Sequence, residues 1–161
     1  MGLTWLPETA PGEDPFERVF GLRPNLFEAW KQFEALLWQE ARVEPVLLEL
    51  CRLRLASMNG ALYGLSTRNP AAREAGLDEA KIAALDSWRK TELFSDTEAA
   101  CLRFAEQFAL DPGEISDEIA APVVEALGDP GTVAFVEALA IFDGFSRFCA
   151  ILDITSNGDA A

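Results

Sequence analysis

The 161-residue sequence contains no histidine. This removes the commonest general base near neutral pH and the commonest metal ligand, so a Ser-His-Asp triad is excluded and no zinc site is expected. Cysteine is scarce: Cys51, Cys101 and Cys149 lie far apart, and no CxxC pair exists to form a local redox or zinc motif. An odd number of cysteines suits a reducing compartment, and the expected location is cytoplasmic. Positive charge is also short, with 13 basic against 27 acidic residues and a net charge of −14. Nucleic-acid binding needs clustered Lys and Arg to displace counterions, so nucleic acid and anionic membrane surfaces are not expected partners. No long uninterrupted apolar run occurs. The most apolar window, Val133 to Leu152, carries Glu137, Asp143 and Arg147, which a lipid-facing span rarely accepts, and it reads as a buried helix. The start, Met1 to Trp5, lacks a basic segment and an apolar core, so no leader is expected. Strand-like alternation is missing throughout.

What remains is helical spacing. Half of the residues are hydrophobic, enough for one domain over residues 1–161 with a sizeable core. Residues 1–13 are rich in proline and acid and read as an extended arm, with Trp5 placed to dock on a neighbouring subunit. Asp14 caps and Pro15 opens a short helix that stops at Gly21. Leu26, Trp30, Phe33, Leu37 and Trp38 recur at helical spacing in the next. "EPVLLELCRLRLASM" is apolar on nearly every side and reads as the central helix. Ser95 and Glu98, three residues apart, form a capping box. Gly128 separates two final helices, and Pro122 starts or kinks the first of them. The tryptophans and phenylalanines read as core and subunit interface rather than a cofactor box, and no cofactor is expected.

One stretch, "SMNGALYGLSTR" (Ser57 to Arg68), has the outline of a thiol redox helix: a long apolar helix, an Asn-Gly corner and a new helical turn, but neither cysteine nor histidine. "ELCRLRLASMNGALYGLSTRNPAAREAGLDEAKIAAL", followed by "SWRKTELFSDTEAACLRFAEQFA", resembles the carboxymuconolactone decarboxylase/alkylhydroperoxidase AhpD-like family. "VFGLRPNLFEAW" and "ALAIFDGFSRF" resemble its first and last helices, with Asp143, Ser146 and Arg147 where the family often reads Asn-x-x-Asn-Arg. The likeness runs from Phe16 to Ile154. It implies an all-α AhpD-like domain of about seven to nine helices, assembled as a dimer, trimer or hexamer.

The family's peroxidase branch carries Asn-Gly-Cys-x-x-Cys-x-x-x-His, with a glutamate twelve residues before the first cysteine. Those positions hold Ala61, Gly64 and Arg68 here, and Glu49 alone is matched. Peroxide reduction needs an attacking thiolate and a resolving thiol, so thiol peroxidase activity is not expected. Glu49 is the candidate proton relay, its pKa raised by burial; the competing expectation is an ion pair with Arg52 or Arg68. Arg68 cannot accept a proton but can hold a carboxylate bidentately. Tyr63 and Asn59 are further candidate ligand-binding groups. Three readings result. One is a site that handles a small organic acid, as in decarboxylation, isomerisation or lactone chemistry. The second is a non-catalytic helical oligomer that binds a partner or ligand without turning it over. The third, residual thiol chemistry, needs two of Cys51, Cys101 and Cys149 to meet in space.

Overall fold

Proline and short polar caps set the helix starts. Residues 6 and 9–155 are described in the computed structural model of the chain, so Trp5 and most of residues 1–8 lie outside the described residues. Helices α1 (Pro15–Phe20), α2 (Pro24–Gln39), α3 (Pro45–Met58) and α5 (Pro70–Glu74) each begin on proline, whose missing N–H is no loss in a first turn. Asp14 accepts the Glu17 N–H to cap α1, and Asn69 accepts the Ala71 N–H to cap α5. Asp78 caps α6 (Glu79–Ala84) in the same way, and a 3₁₀ stretch, Leu85–Lys90, follows. The Ser95–Glu98 capping box opens α7 (Asp96–Leu110), with both reciprocal bonds made.

The last span, α8 (Asp117–Ile151), breaks at Gly128, where φ is 66° and ψ is 172°. That region of backbone space is nearly confined to glycine. The break falls where the sequence puts it, and Pro122 lies within the first segment. The described residues form helices and turns with no strand, so the all-α expectation holds. None of these helices is long and apolar enough to cross a membrane.

The centre is α3, as its apolar sequence predicts. Leu48, Leu50, Cys51, Leu53 and Leu55 are fully buried, and the helix packs against α7 and α8. A smaller apolar cluster joins Val19, Ala56, Ala61, Cys149 and Ile154, tying α1 and the short α4 (Leu62–Ser66) to the end of α8. In contrast, α2 buries only Leu37 and leaves Leu26, Phe33 and Leu36 exposed. It lies over the bundle as an outer wall, and the space beneath it forms the site.

Candidate functional site

Glu49 sits on α3 with no solvent exposure. Three residues on, almost one helical turn, Arg52 faces it. Arg52 Nε donates to Glu49 Oε2 and Nη2 to Oε1, both at 2.7 Å. The Asn69 N–H donates to Oε1 at 3.0 Å. A buried carboxylate is tolerable only when so engaged. The same guanidinium donates from Nη1 to the Gly64 carbonyl and from Nη2 to the Thr67 carbonyl, each at 3.0 Å. These are carbonyls at the end of α4, a helix too short to satisfy them internally. Arg52 thus joins α3, α4 and the approach to α5, and of the two ion pairs foreseen for Glu49 the Arg52 pair is the one formed.

Arg68 goes elsewhere. Its Nη1 donates to the Leu65 carbonyl at 2.5 Å and to the Thr67 carbonyl at 2.8 Å, while Nε and Nη2 reach exposed Glu79 at 3.3 and 3.4 Å. Glu49 and Arg68 are therefore not brought into contact. The Asn59 side chain donates to Asp143 Oδ1 at 2.8 Å and to Ser146 Oγ at 2.6 Å. It fastens the Asn-Gly corner to α8 and takes no part in the cavity wall. Tyr63 does line the cavity, stacked on Phe16 at 5.5 Å between ring centroids, with its hydroxyl donating to the Asp14 carboxylate at 3.0 and 3.1 Å. Burial first, and then the Asp14 charge, push its ionisation upward.

The cavity has a volume of about 580 Å³ and lies between α1, α2, α4 and α8. Ala61, Gly64 and Arg68 all line it, as does Cys149. Gly64 allows a close approach: a Cβ there would lie 3.1 Å from the Ala56 Cβ, which is crowded, and 3.7 Å from Arg52 Nη1. The walls are aromatic. Trp30 stacks on Phe145 at 3.7 Å, and Trp38 packs beside Phe142 at 5.6 Å. Trp30 and Trp38, read from sequence as core or interface, are cavity walls, whereas Trp88 is buried and donates to Glu106.

Sequence reasoning missed Glu34. It is half-buried in the cavity wall on α2. Burial pushes its carboxyl above the ordinary range, against a smaller opposing pull from Arg52 and from a hydrogen bond with the Trp38 side chain. The signal was its spacing: Trp30, Glu34 and Trp38 recur every four residues and share one helix face.

The thiols are poor nucleophiles. Cys51 and Cys101 are fully buried. Burial pushes Cys51 well up and Cys101 to about 12. Burial likewise pushes Cys149 up to about 12, with Arg52 opposing. At neutral pH such groups hold almost no thiolate, the reactive form.

The model of the carboxymuconolactone decarboxylase family matches residues 24–107. The uncharacterized protein YdfG of Bacillus subtilis is 27% identical over 82 residues, covering 50% of this chain and 56% of its own, so the chain spans little more than half of that relative. The uncharacterized protein YnjA of Escherichia coli is 23% identical over 144 residues, covering 88% of this chain and 78% of its own. A crystal structure of a protein of unknown function from Agrobacterium tumefaciens, suggested to be an AhpD antioxidant-defence protein, superposes with a TM-score of 0.72. It is 20% identical and the match covers 83% of this chain and 91% of that one, a likeness of fold.

Proposed function

Since this chain belongs to the carboxymuconolactone decarboxylase family, we propose that it is a member without thiol peroxidase activity that binds a small organic acid in the cavity beneath α2 and is suited to proton-transfer chemistry of the decarboxylase, isomerase or lactone type. One observation carries this reading: Ala61, Gly64 and Arg68, at the positions that hold cysteine, cysteine and histidine in the peroxidase branch, all line one aromatic-walled cavity of about 580 Å³. The address is open while the thiols are gone. A volume of that size can take a small organic molecule, and the aromatic walls offer it apolar contact. Arg68 supports an anionic ligand because its link to Glu79 is long and exposed, and a ligand carboxylate can replace it. Cys149, the cysteine in the wall, stays protonated at neutral pH and cannot open an O–O bond.

The test is a thermal-shift screen of small carboxylic acids and lactones against wild type and Arg68→Ala. A ligand at about a hundred times its dissociation constant adds roughly 2.7 kcal/mol to stability. A shift in wild type that disappears in Arg68→Ala supports the reading; a panel without effect on wild type refutes it.

A second reading, a non-catalytic helical oligomer, is favoured by two features. Glu49 is closed by Arg52 and Asn69. Leu22, Leu26, Phe33 and Leu36 leave an exposed apolar stripe along and just before α2. Light scattering combined with a silent ligand screen separates this reading from the first.

A further inference from the structure

Glu49 is the family-matched acid, yet its oxygens already accept two bonds from Arg52 and one from the Asn69 N–H. A carboxylate so engaged gives up its donors before it can exchange a proton with a ligand. The cavity itself has another acid. Glu34 projects from α2 between Trp30 and Trp38, half-buried, in the wall that a ligand would touch.

Charge balance makes that acid matter. The carboxyls of the lining are Glu13, Asp14, Glu17 and Glu34, against the cations Lys31, Arg52 and Arg68. Each cation already has an acidic neighbour: Lys31 has Glu28, Arg52 has Glu49 and Arg68 has Glu79. An entering carboxylate can replace exposed Glu79 at Arg68, but it also brings a second negative charge into the wall that holds Glu34, and a proton on Glu34 removes that repulsion.

The candidates differ in surroundings. Glu13 and Glu17 lie on the exposed rim, just before and on α1, whereas Glu34 is half-buried. Asp14 is already engaged, accepting the Tyr63 hydroxyl and the Glu17 N–H. Tyr63 from α4 and Cys149 from α8 also face the cavity, and both are neutral at pH 7 with their ionisation pushed upward. Glu34 meets Trp38 on its own helix, with Arg52 and Glu49 acting on it from α3 with opposite signs. Burial there favours the neutral carboxyl.

We infer that Glu34, rather than Glu49, is the proton-exchanging group of this cavity, and that it takes up one proton from solvent when a small aromatic carboxylate enters. The step balances: carboxylate ligand, Glu34 carboxylate and one proton give a bound carboxylate beside a neutral Glu34 carboxyl. The protonated Glu34 is then an acid held against the ligand, positioned to deliver its proton to a carbon or oxygen centre. This rests on the small-acid reading above, so its test has one arm that needs no ligand.

In that arm, tryptophan emission is followed against pH in wild type and Glu34→Gln, with circular dichroism to verify folding. Wild type is expected to show an emission step with its midpoint above the ordinary carboxylate range, and Glu34→Gln to lack it. The same step in both proteins, or no step in wild type, overturns the assignment of Glu34. In the second arm, benzoate binding is measured by calorimetry in buffers of different ionisation heat. Wild type should take up close to one proton above the Glu34 midpoint, with affinity falling about tenfold per pH unit. Glu34→Gln should bind benzoate with no proton uptake. Equal uptake by both proteins overturns the inference. Absence of benzoate binding at every pH, with the emission step intact, overturns the small-acid reading and the coupling while leaving Glu34 as a titrating wall group. Binding of benzylamine that tightens as pH rises overturns the coupling too, because Glu34 would then act as a counter-charge.

Discussion

Replacing Arg52 with methionine keeps the apolar stem and removes the guanidinium. Glu49, with no exposure of its own, would then lose both of its charge-assisted bonds. The Gly64 and Thr67 carbonyls would each lose one donor as well, keeping Thr67 Oγ1 and Arg68 Nη1 respectively. Breaking one side of a buried pair costs about 3–5 kcal/mol, because the remaining charge stays buried without a partner. The Arg52 side chain keeps 17% exposure, so some water can reach the vacated space and the lower end, about 3 kcal/mol, is expected. For a chain of this size that corresponds to a fall in Tm of roughly 6–12 °C. Urea denaturation followed by far-ultraviolet circular dichroism reads the change, with the slope against urea unchanged. Glu49→Leu combined with Arg52→Met should cost less than the sum of the two single changes by about 2 kcal/mol, the excess being the coupling. Recovery should stay incomplete, because the Asn69 N–H loses its acceptor and the Gly64 and Thr67 carbonyls each lose one donor. A cost below about 1 kcal/mol for Arg52→Met, or additive single changes, would refute a sealed Glu49 and mean that water or Arg68 can reach it.

Three other outcomes follow from the same geometry. All three cysteines should resist iodoacetamide in the native protein and react in urea, since burial holds Cys101 and Cys149 at about 12 and Cys51 higher than its ordinary value; rapid native labelling would count against this, as would any thiol-dependent turnover of peroxide. Tyr63→Phe should cost about 1.5 kcal/mol by removing the bond to Asp14, measured by urea titration. In wild type, the raised tyrosine ionisation contributes stability that is intact below about pH 10 and lost as pH rises through the folded value. Burial pushes Glu98 and Glu106 up, but Lys81 and Ser95 at the first, and Arg89, Trp88 and Arg54 at the second, outweigh it and hold both below the ordinary range. Their contribution is present above about pH 4.3 and lost as pH falls through the folded values, so Glu106→Gln should flatten the acid limb of the stability profile.

Local chemistry was legible in the sequence because it acts over a few residues. The Asp14 and Asp78 caps, the Ser95–Glu98 box and the Gly128 break all have their cause within four positions. The Glu49–Arg52 pair was legible for the same reason. Asn59 was not, since its partners Asp143 and Ser146 lie 84 and 87 residues away. Helical spacing says that Trp30 and Trp38 face inward, but a filled core and a cavity wall impose the same spacing. Glu34 was passed over because an isolated acid on a helix usually marks the solvent face. The bonds of Arg68 to the carbonyls of its own turn were not legible, because those acceptors are backbone and not visible as side chains.

The close packing at Gly64 makes exchange between this site and a thiol site depend on the order of steps. A cysteine introduced at position 64 would bring its Cβ to 3.1 Å from the Ala56 Cβ, so α3 and α4 would have to move apart by a few tenths of an ångström. That movement stretches the Arg52 bond to the Gly64 carbonyl, and the guanidinium that closes Glu49 is disturbed by the same shift. Trimming Ala56 to glycine first would open the space. Installing the cysteine first meets the strain at full cost. Two sequences a few substitutions apart are thus separated by a barrier along one route and far less along the other, and an engineer restoring the thiols would have to begin on the helix opposite them.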